Sequence, residues 1–221
     1  MPTFPDMLPT GYVDAQRKRF MARLSPFFSS DKMEFIEQAY FLSKNAHRPQ
    51  MRDDGTRYFE HPKTVAWLLA IHFQVHDWRT IVIALLHDML EDSFIMTPRF
   101  IGRTFDNKVK FGVKLLSKND FDKAEVGDVD AAYYGRFVTD GDWRVLMVKL
   151  VDRIHNIMTM DDMEPTRVAR KLDETRMYFP ALERALMQRV PDAYCDQATD
   201  VIATLNLSII EREQWLAAQA G

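Results

Sequence analysis

The sequence predicts an all-α protein. Apolar residues recur at helical spacing along several segments, as Val151, Ile154 and Met158 do. No segment shows the alternation of polar and apolar residues that is typical of a strand, and no internal repeat stands out. Glycine and proline are sparse, at 8 and 10 of 221 residues, while 47% of residues are apolar, which favours an ordered, helix-rich globule.

Charge and cysteine content narrow the class of protein. A formal net charge of −3 argues against a general nucleic-acid or membrane-surface binder, so a polyanion would have to meet a local basic patch. Cys195 is the single cysteine, which excludes a disulfide framework and fits a reducing cytoplasm. Neither a signal peptide nor an apolar stretch long enough to span a bilayer is visible. We therefore expect a cytoplasmic protein that is not a general binder of nucleic acids or membrane surfaces.

The first third of the chain predicts an arm followed by helices. Residues 1–30 carry four prolines around a basic piece and indicate an N-terminal arm with one short helix. Residues 31–221 are expected to form one domain, whose first helix takes its cap from Ser29, Ser30 and Asp31. A polar segment, Lys44–Thr56, follows this helix and contains a turn at Asp54-Gly55. The next helix starts at His61-Pro62, with proline at the first helical position.

The apolar run Ile81–Leu86 predicts a buried helix. Beyond it, Thr97-Pro98 and Glu164-Pro165 each start a helix, and residues 117–128, rich in Asp and Lys, indicate an exposed loop. The remaining helices are predicted at 105–116, 131–137, 143–159, 178–189 and 192–217.

Four ionisable residues crowd the end of the buried run. On a helical pitch His87, Asp88, Glu91 and Asp92 fall within roughly 140° of one another. Three carboxylates so close would repel each other and resist burial unless a cation joined them. A divalent metal removes that conflict; the alternative is a helix terminus that emerges into solvent, where acidic residues are ordinary.

Two further stretches offer ligands. His61 lies where a helix starts, and Asp152 lies inside a long apolar helix, where a buried carboxylate needs a partner. That partner is a metal or Arg153, unless Asp152 is simply exposed.

His72 and His76 have metal-pair spacing, but a packing or surface role is favoured for both. The helix that starts at Glu164-Pro165 has a basic side, which is either exposed to solvent or binds phosphate. Its residues are Arg167, Arg170 and Lys171.

Imidazole and carboxylate ligands without a thiolate suit Mn²⁺, Fe²⁺ or Zn²⁺. With these residues in place, the sequence resembles the HD-domain phosphohydrolases, and more closely the hydrolase domain of RelA/SpoT homologues, including the small alarmone hydrolases. The resemblance covers about residues 31–185. Its matching segments are Gln50-Met51-Arg52 through His61-Pro62, Leu85 through Asp92, Lys149 through Thr159, and Glu174-Thr175 through Pro180.

The resemblance implies a single HD-domain helical bundle and a role for each matched residue. It implies that His61, His87, Asp88 and Asp152 bind one divalent metal, in that family usually Mn²⁺. Glu91 and Asp92 would handle the attacking water. Arg52 would pack on the nucleobase, with Asn156 and Thr159 along the ribose and base. The family reaction removes the 3′-pyrophosphate of guanosine 3′,5′-bis(diphosphate) or its pentaphosphate form.

Two departures from the family pattern bear on the substrate. Asp53 stands where the family often has a basic residue, and Met158 stands where it often has Arg. Both changes remove positive charge beside the expected nucleotide, so an adenosine alarmone stays open beside the guanosine one. Two more functions fit the same residues: an HD phosphatase acting on a phosphorylated dinucleotide or a nucleoside monophosphate, and a non-catalytic nucleotide-binding protein.

Overall fold

The computed structural model describes residues 13–52, 55–92, 97–118 and 128–219, without the side chains of Val13, Asp14 and Asp92. Within these ranges the chain is helical apart from turns and one isolated antiparallel bridge between Met51 and Arg57. The all-α prediction is confirmed. The chain divides into two compact units, Met1–Ser117 and Lys118–Gly221. Since compactness does not show that a unit folds alone, the single domain at 31–221 and the arm at 1–30 stay predictions.

The first unit is built around one short apolar helix. Its helices are α1 (Val13–Leu24), α2 (Ser30–Ala46), α3 (Glu60–Trp67), α4 (Trp78–Leu86), α5 (Met89–Asp92), α6 (Pro98–Thr104) and α7 (Asn107–Leu116). Every residue of α4 from Thr80 to Leu86 is buried, and α2, α3 and α7 pack against it. The buried helix predicted at Ile81–Leu86 is therefore the centre of this unit.

Side-chain caps fix where several of these helices begin. Asp77 accepts a hydrogen bond from the backbone N of Thr80 at 2.9 Å, and Asp106 accepts one from Val109 at 2.9 Å. Thr97 caps α6 in the same way, as the Thr97-Pro98 pair predicts. Each cap satisfies a donor that the first turn of a helix leaves without an intrahelical partner.

Helix α1 is part of the packing of the first unit. Phe20 and Leu24 are fully buried, and the ring of Phe20 lies 5.6 Å from Tyr40 and 6.0 Å from Trp67. The predicted short helix within residues 1–30 is thus present, and its apolar side is covered.

A tight turn precedes α3. Gly55 has φ +76°, a left-handed conformation that glycine adopts without steric cost. Its N donates to the carbonyl of Arg52 at 2.9 Å, and the N of Arg52 donates to Thr56 at 2.8 Å. The predicted turn is present at Gly55, whereas Asp53 and Asp54 lie outside the described residues.

The second unit packs three long helices together. Its elements are α8 (Val129–Asp140), α9 (Trp143–Met158), α10 (Pro165–Arg189), a 3₁₀ turn (Asp192–Tyr194) and α11 (Cys195–Gln219). α9, α10 and α11 contact one another, and α8 packs on α10. Arg176 on α10 also forms a two-pronged ion pair with Glu213 on α11, at 2.9 and 2.7 Å.

Two boundaries differ from the predicted ones. Residues 178–189 are not a separate helix, because α10 runs through Pro180 without interruption. Proline removes one backbone hydrogen bond, but Phe179 and Leu182 beside it are buried, and their packing holds the helix together. The second difference is at α3, which begins at Glu60, so that Pro62 lies third in the helix; the first turn tolerates a missing N–H there as well.

The predicted loop at 117–128 falls largely outside the described residues, which omit 119–127. Among the helices that the structure describes, none combines the length and the apolar character needed to cross a bilayer.

Leucine truncation on α11 tests the packing of the second unit. Leu205 is fully buried, whereas Leu207, two residues on in the same helix, is 52% exposed. We expect Leu205→Ala to lower the free energy of unfolding by about 2–5 kcal/mol through lost burial and a residual cavity. Leu207→Ala is the matched control and should cost under about 1 kcal/mol; equal losses in chemical denaturation would contradict the packing described.

Candidate metal centre

Two histidines and one aspartate of the first unit bring their ligand atoms together. One ligand atom each of His61, His87 and Asp88 lies within 4.8 Å of the others. The Nε2 atoms of the two imidazoles are 3.2 Å apart, and Oδ2 of Asp88 is 3.2 Å from Nε2 of His87 and 3.8 Å from Nε2 of His61. Both histidines are buried, and Asp88 is half-buried.

Each histidine of the candidate site is positioned by the end of a helix. His61 lies in the first turn of α3, where its backbone N donates to the carbonyl of Tyr58 at 3.0 Å. His87 directly follows the last residue of α4, and its Nδ1 donates to the carbonyl of Ala84 at 2.8 Å. That bond fixes the ring orientation and leaves Nε2 as the ligand atom in the neutral imidazole.

The donor set fits a divalent cation. Ligands held at about 2.1 Å from one ion stand roughly 3.0–3.4 Å apart, and two of the three separations are 3.2 Å. Two imidazole nitrogens and a carboxylate oxygen that face one point are ligand types that a divalent cation accepts. The structure therefore contains a candidate His/Asp metal site.

The four ionisable residues from His87 to Asp92 do not lie on one helix face, because the helix is interrupted between them. Helix α4 ends at Leu86 and helix α5 resumes at Met89, so the four ionisable residues do not share one continuous helix. The backbone N of Glu91 donates to the carbonyl of Asp88 at 3.1 Å, and the Glu91 side chain is exposed. Glu91 lies outside the ligand group, one turn after Asp88. The side chain of Asp92 is not among those described.

Tyr58 is a part of the site that the sequence does not single out. Its hydroxyl donates to Oδ2 of Asp88 at 2.9 Å, and its ring stacks on His47 at 4.8 Å. Nδ1 of His47 in turn lies 2.6 Å from Oε1 of Gln50. Nothing in the local pattern marks Tyr58, because its partner Asp88 is thirty residues away in sequence.

Asp152 belongs to the second unit and is buried at 5% exposure on α9. Its Oδ2 accepts a hydrogen bond from Nζ of Lys149 at 3.0 Å, and its Oδ1 accepts one from Nδ2 of Asn156 at 2.7 Å. Burial by itself would lower the pKa of Lys149, but Tyr133 and the Asp152 carboxylate raise it, so the lysine is an ammonium. The buried Asp152 thus has the partners that burial requires, and Lys149 is one of them.

Arg153, the alternative partner for Asp152, faces another carboxylate. Its Nη2 donates to Glu174 and to the hydroxyl of Tyr134, both at 2.6 Å, and Tyr134 donates to Glu174. Burial opposes the charge on Glu174, but the Arg153 charge and these hydrogen bonds outweigh it and lower the pKa of Glu174 to about 2.

The three residues predicted to contact substrate are each half-buried. Arg52 lies at the base of the Gly55 turn, whereas Asn156 and Thr159 lie at the end of α9. The Oγ1 of Thr159 donates to the carbonyl of His155 at 2.9 Å. Met158, which departs from the family pattern, directly precedes Thr159 in sequence and is half-buried.

His72 and His76 have packing roles. His76 stacks on Phe27 at 3.9 Å, and its Nε2 lies 3.1 Å from the carbonyl of Ala70. His72 ends a π-helical turn, Leu68–His72, that continues α3, and its ring lies edge-on to Phe73 at 4.7 Å. Neither belongs to the metal-binding group found in the described residues.

The low pKa of Glu174 predicts a pH-dependent contribution to stability. A carboxylate whose folded-state pKa is about 2 stabilises the fold fully above its ordinary value of 4.5 and loses this effect as the pH falls towards 2. Glu174→Gln should therefore cost up to about 3 kcal/mol of unfolding free energy at pH 7. The difference from the parent protein should shrink between about pH 5 and pH 2.

Urea denaturation across this pH range measures that difference. Glu211→Gln, at an exposed position on α11, is the matched control and should show a small difference that does not vary with pH. A Glu174→Gln deficit that is the same at neutral pH and at about pH 3 would contradict the role given to this ion pair.

The sequence has relatives among known proteins. No model of a protein family matches the sequence. The chain is 32% identical over 168 residues to the bifunctional (p)ppGpp synthase/hydrolase SpoT of Escherichia coli K12, covering 73% of this chain and 23% of that protein. A guanosine-3′,5′-bis(diphosphate) 3′-pyrophosphohydrolase of Escherichia coli O157:H7 is also 32% identical over 168 residues, with the same coverage.

A probable chloroplastic GTP diphosphokinase of Arabidopsis thaliana is 35% identical over 162 residues, which are 69% of this chain and 22% of the relative. The chain thus spans less than a quarter of the length of these relatives. A solved structure described as "A metazoan ortholog of SpoT hydrolyzes ppGpp and plays a role in starvation responses" has a TM-score of 0.51 and 22% identity, covering 73% of this chain and 94% of that one. That likeness supports the fold.

Proposed function

We propose that this chain, which belongs to the HD hydrolase domains of the RelA/SpoT family, removes the 3′-pyrophosphate of guanosine 3′,5′-bis(diphosphate) or of its pentaphosphate form. The products are GDP or GTP and pyrophosphate. The observation that carries the proposal is the convergence of His61, His87 and Asp88 on one point of the first unit. The E. coli relatives named for (p)ppGpp hydrolysis match 73% of the chain.

One divalent metal, Mn²⁺ by the resemblance, would be held by His61, His87, Asp88 and Asp152. When bound, it lowers the pKa of a water molecule and offsets charge that builds on the phosphoryl oxygens. Tyr58 keeps Asp88 oriented through its 2.9 Å hydrogen bond. Lys149 and Asn156 do the same for Asp152, since each donates to one of its two oxygens.

Glu91 and Asp92 are the proposed proton acceptors. A carboxylate near the attacking water can take its proton as the water oxygen bonds to the phosphorus beside the ribose 3′ oxygen. The bond from that phosphorus to the 3′ oxygen breaks, and the 3′ oxygen leaves with a proton. Glu91 suits this role because it is exposed and lies one turn after Asp88, outside the ligand group.

Arg52, Asn156 and Thr159 are the proposed nucleotide contacts. The flat guanidinium of Arg52 can stack on a purine, which an ammonium does less well. Met158 favours a second candidate substrate, an adenosine alarmone, because it supplies no charge where the family often has Arg. The proposed place of action is the cytoplasm, which suits a protein whose single cysteine is Cys195.

A panel of nucleotides tests the activity. We expect the purified protein with Mn²⁺ to release pyrophosphate from the guanosine or the adenosine alarmone, measured by ion chromatography of the products. Release of orthophosphate alone would favour an HD phosphatase acting on another nucleotide. If no nucleotide turns over while metal is verifiably bound, the chain is a non-catalytic binding protein and the proposal fails.

Two variants separate metal binding from proton transfer. Asp152→Ala should abolish metal binding, measured by calorimetry and by elemental analysis of the dialysed protein. Glu91→Ala should keep the metal and lose about 10²–10⁴-fold in kcat, the contribution of a general base. Asp173→Ala, at an exposed position on α10, is the matched control and should leave both unchanged. Full activity in either site variant would refute the role given to that residue.

A further inference from the structure

The first unit contains a second site, a small cavity that is rich in cations. It lies between α1, the end of α2 and the segment that leads into α3, and its volume is about 30 Å³. The lining residues that matter here are Gln16, Lys44, His47, Arg48, Arg57 and Glu60. Of these, only Glu60 carries a negative charge. We propose that this cavity binds a phosphate group.

The negative charge of Glu60 is already matched. Its carboxylate accepts a hydrogen bond from Nζ of Lys63, which is fully buried and which also donates to Oε1 of Gln16 at 3.1 Å. A buried ammonium holds its carboxylate partner strongly, because separating them would leave a charge without compensation. Glu60 is therefore not the counter-charge for the remaining cations of the cavity.

Lys44, Arg48 and Arg57 supply the positive charge. Within the described parts of the chain none of the three forms an ion pair. Lys44 is half-buried, and the two arginines are exposed, so an ion can reach them from solvent. Three side chains of the same positive charge that line one small cavity favour an anion there.

Size and geometry select a phosphate group. The cavity is small, which suits an ion or a single phosphate group entering from solvent better than a whole nucleoside. Guanidinium groups present forked N–H donors that match phosphate oxygens in pairs, and the ammonium of Lys44 adds a compact charge. A carboxylate has only two oxygens and would satisfy one fork. Inorganic phosphate, pyrophosphate and the terminal phosphate of a nucleotide share the required chemistry.

The cavity is distinct from the candidate metal centre. Its lining includes none of His61, His87 and Asp88. His47 nevertheless connects the two, because its ring lines the cavity and stacks at 4.8 Å on Tyr58, the donor to Asp88. Because the cavity and the metal centre share no residue, phosphate binding in the cavity does not depend on the hydrolase activity and can be tested without turnover.

Calorimetric titration of the metal-loaded protein with inorganic phosphate tests the site, in a phosphate-free buffer and against sodium chloride at equal ionic strength. The double variant Arg48→Gln, Arg57→Gln should weaken phosphate binding at least about tenfold. The matched control Arg99→Gln, Arg103→Gln removes two arginines of α6 in the same unit and should stay within about twofold. Equal binding by the cavity variant and the parent protein, or no phosphate binding by the parent, would overturn the proposal.

Two further variants keep the result decisive. Arg48→Lys with Arg57→Lys keeps both charges without the forks and should bind phosphate with intermediate affinity, which excludes a general folding defect. Asp88→Asn disturbs the metal centre and should retain phosphate binding. If Asp88→Asn loses phosphate binding while the Arg48→Gln, Arg57→Gln protein keeps it, the anion binds at the metal centre and the cavity site is refuted. Parallel titrations with pyrophosphate and GDP show which source of phosphate the cavity prefers.

Discussion

The site depends on one constraint, which is the close approach of two imidazole nitrogens and a carboxylate oxygen in a nearly buried place. Nε2 of His61 and Nε2 of His87 face each other at 3.2 Å, and Oδ2 of Asp88 is equally close to His87. A cation shared among the three atoms, either a proton or a metal ion, stabilises this arrangement. The rest of the first unit supports it: α4 is buried from Thr80 to Leu86 and leads directly to His87, and a tight turn before α3 leads to His61.

Much of this can be predicted, because burial and periodicity are properties of local sequence. The run Ile81–Leu86 predicts a buried helix, and it is one. Long-range packing decides what local patterns leave open. Helix α10 runs through Pro180 because buried neighbours hold it, although proline by itself predicts a break. Helix α4 ends before His87, and no residue type at that point signals the end.

The partners of charged residues are harder to predict than the residues themselves. An apolar helix indicates that Asp152 needs a partner, but it does not show that Lys149 and Asn156 both donate to it while Arg153 turns to Glu174. Residues three or four positions apart share a helix face, which favours Lys149 and Asn156 over the adjacent arginine. Tyr58 and the cation-rich cavity escape local patterns because their parts come from distant segments, which only the fold brings together.

The turn before α3 has a consequence for how this chain can evolve. Hydrogen bonds from Arg52 to Thr56 and from Gly55 to Arg52 hold the turn through its backbone, and the bridge between Met51 and Arg57 closes its stem. Substitutions that leave these backbone hydrogen bonds intact can therefore be accepted in the turn without loosening the segment that carries His61. The sequence of the turn can thus vary while the backbone that places His61 stays in the same conformation.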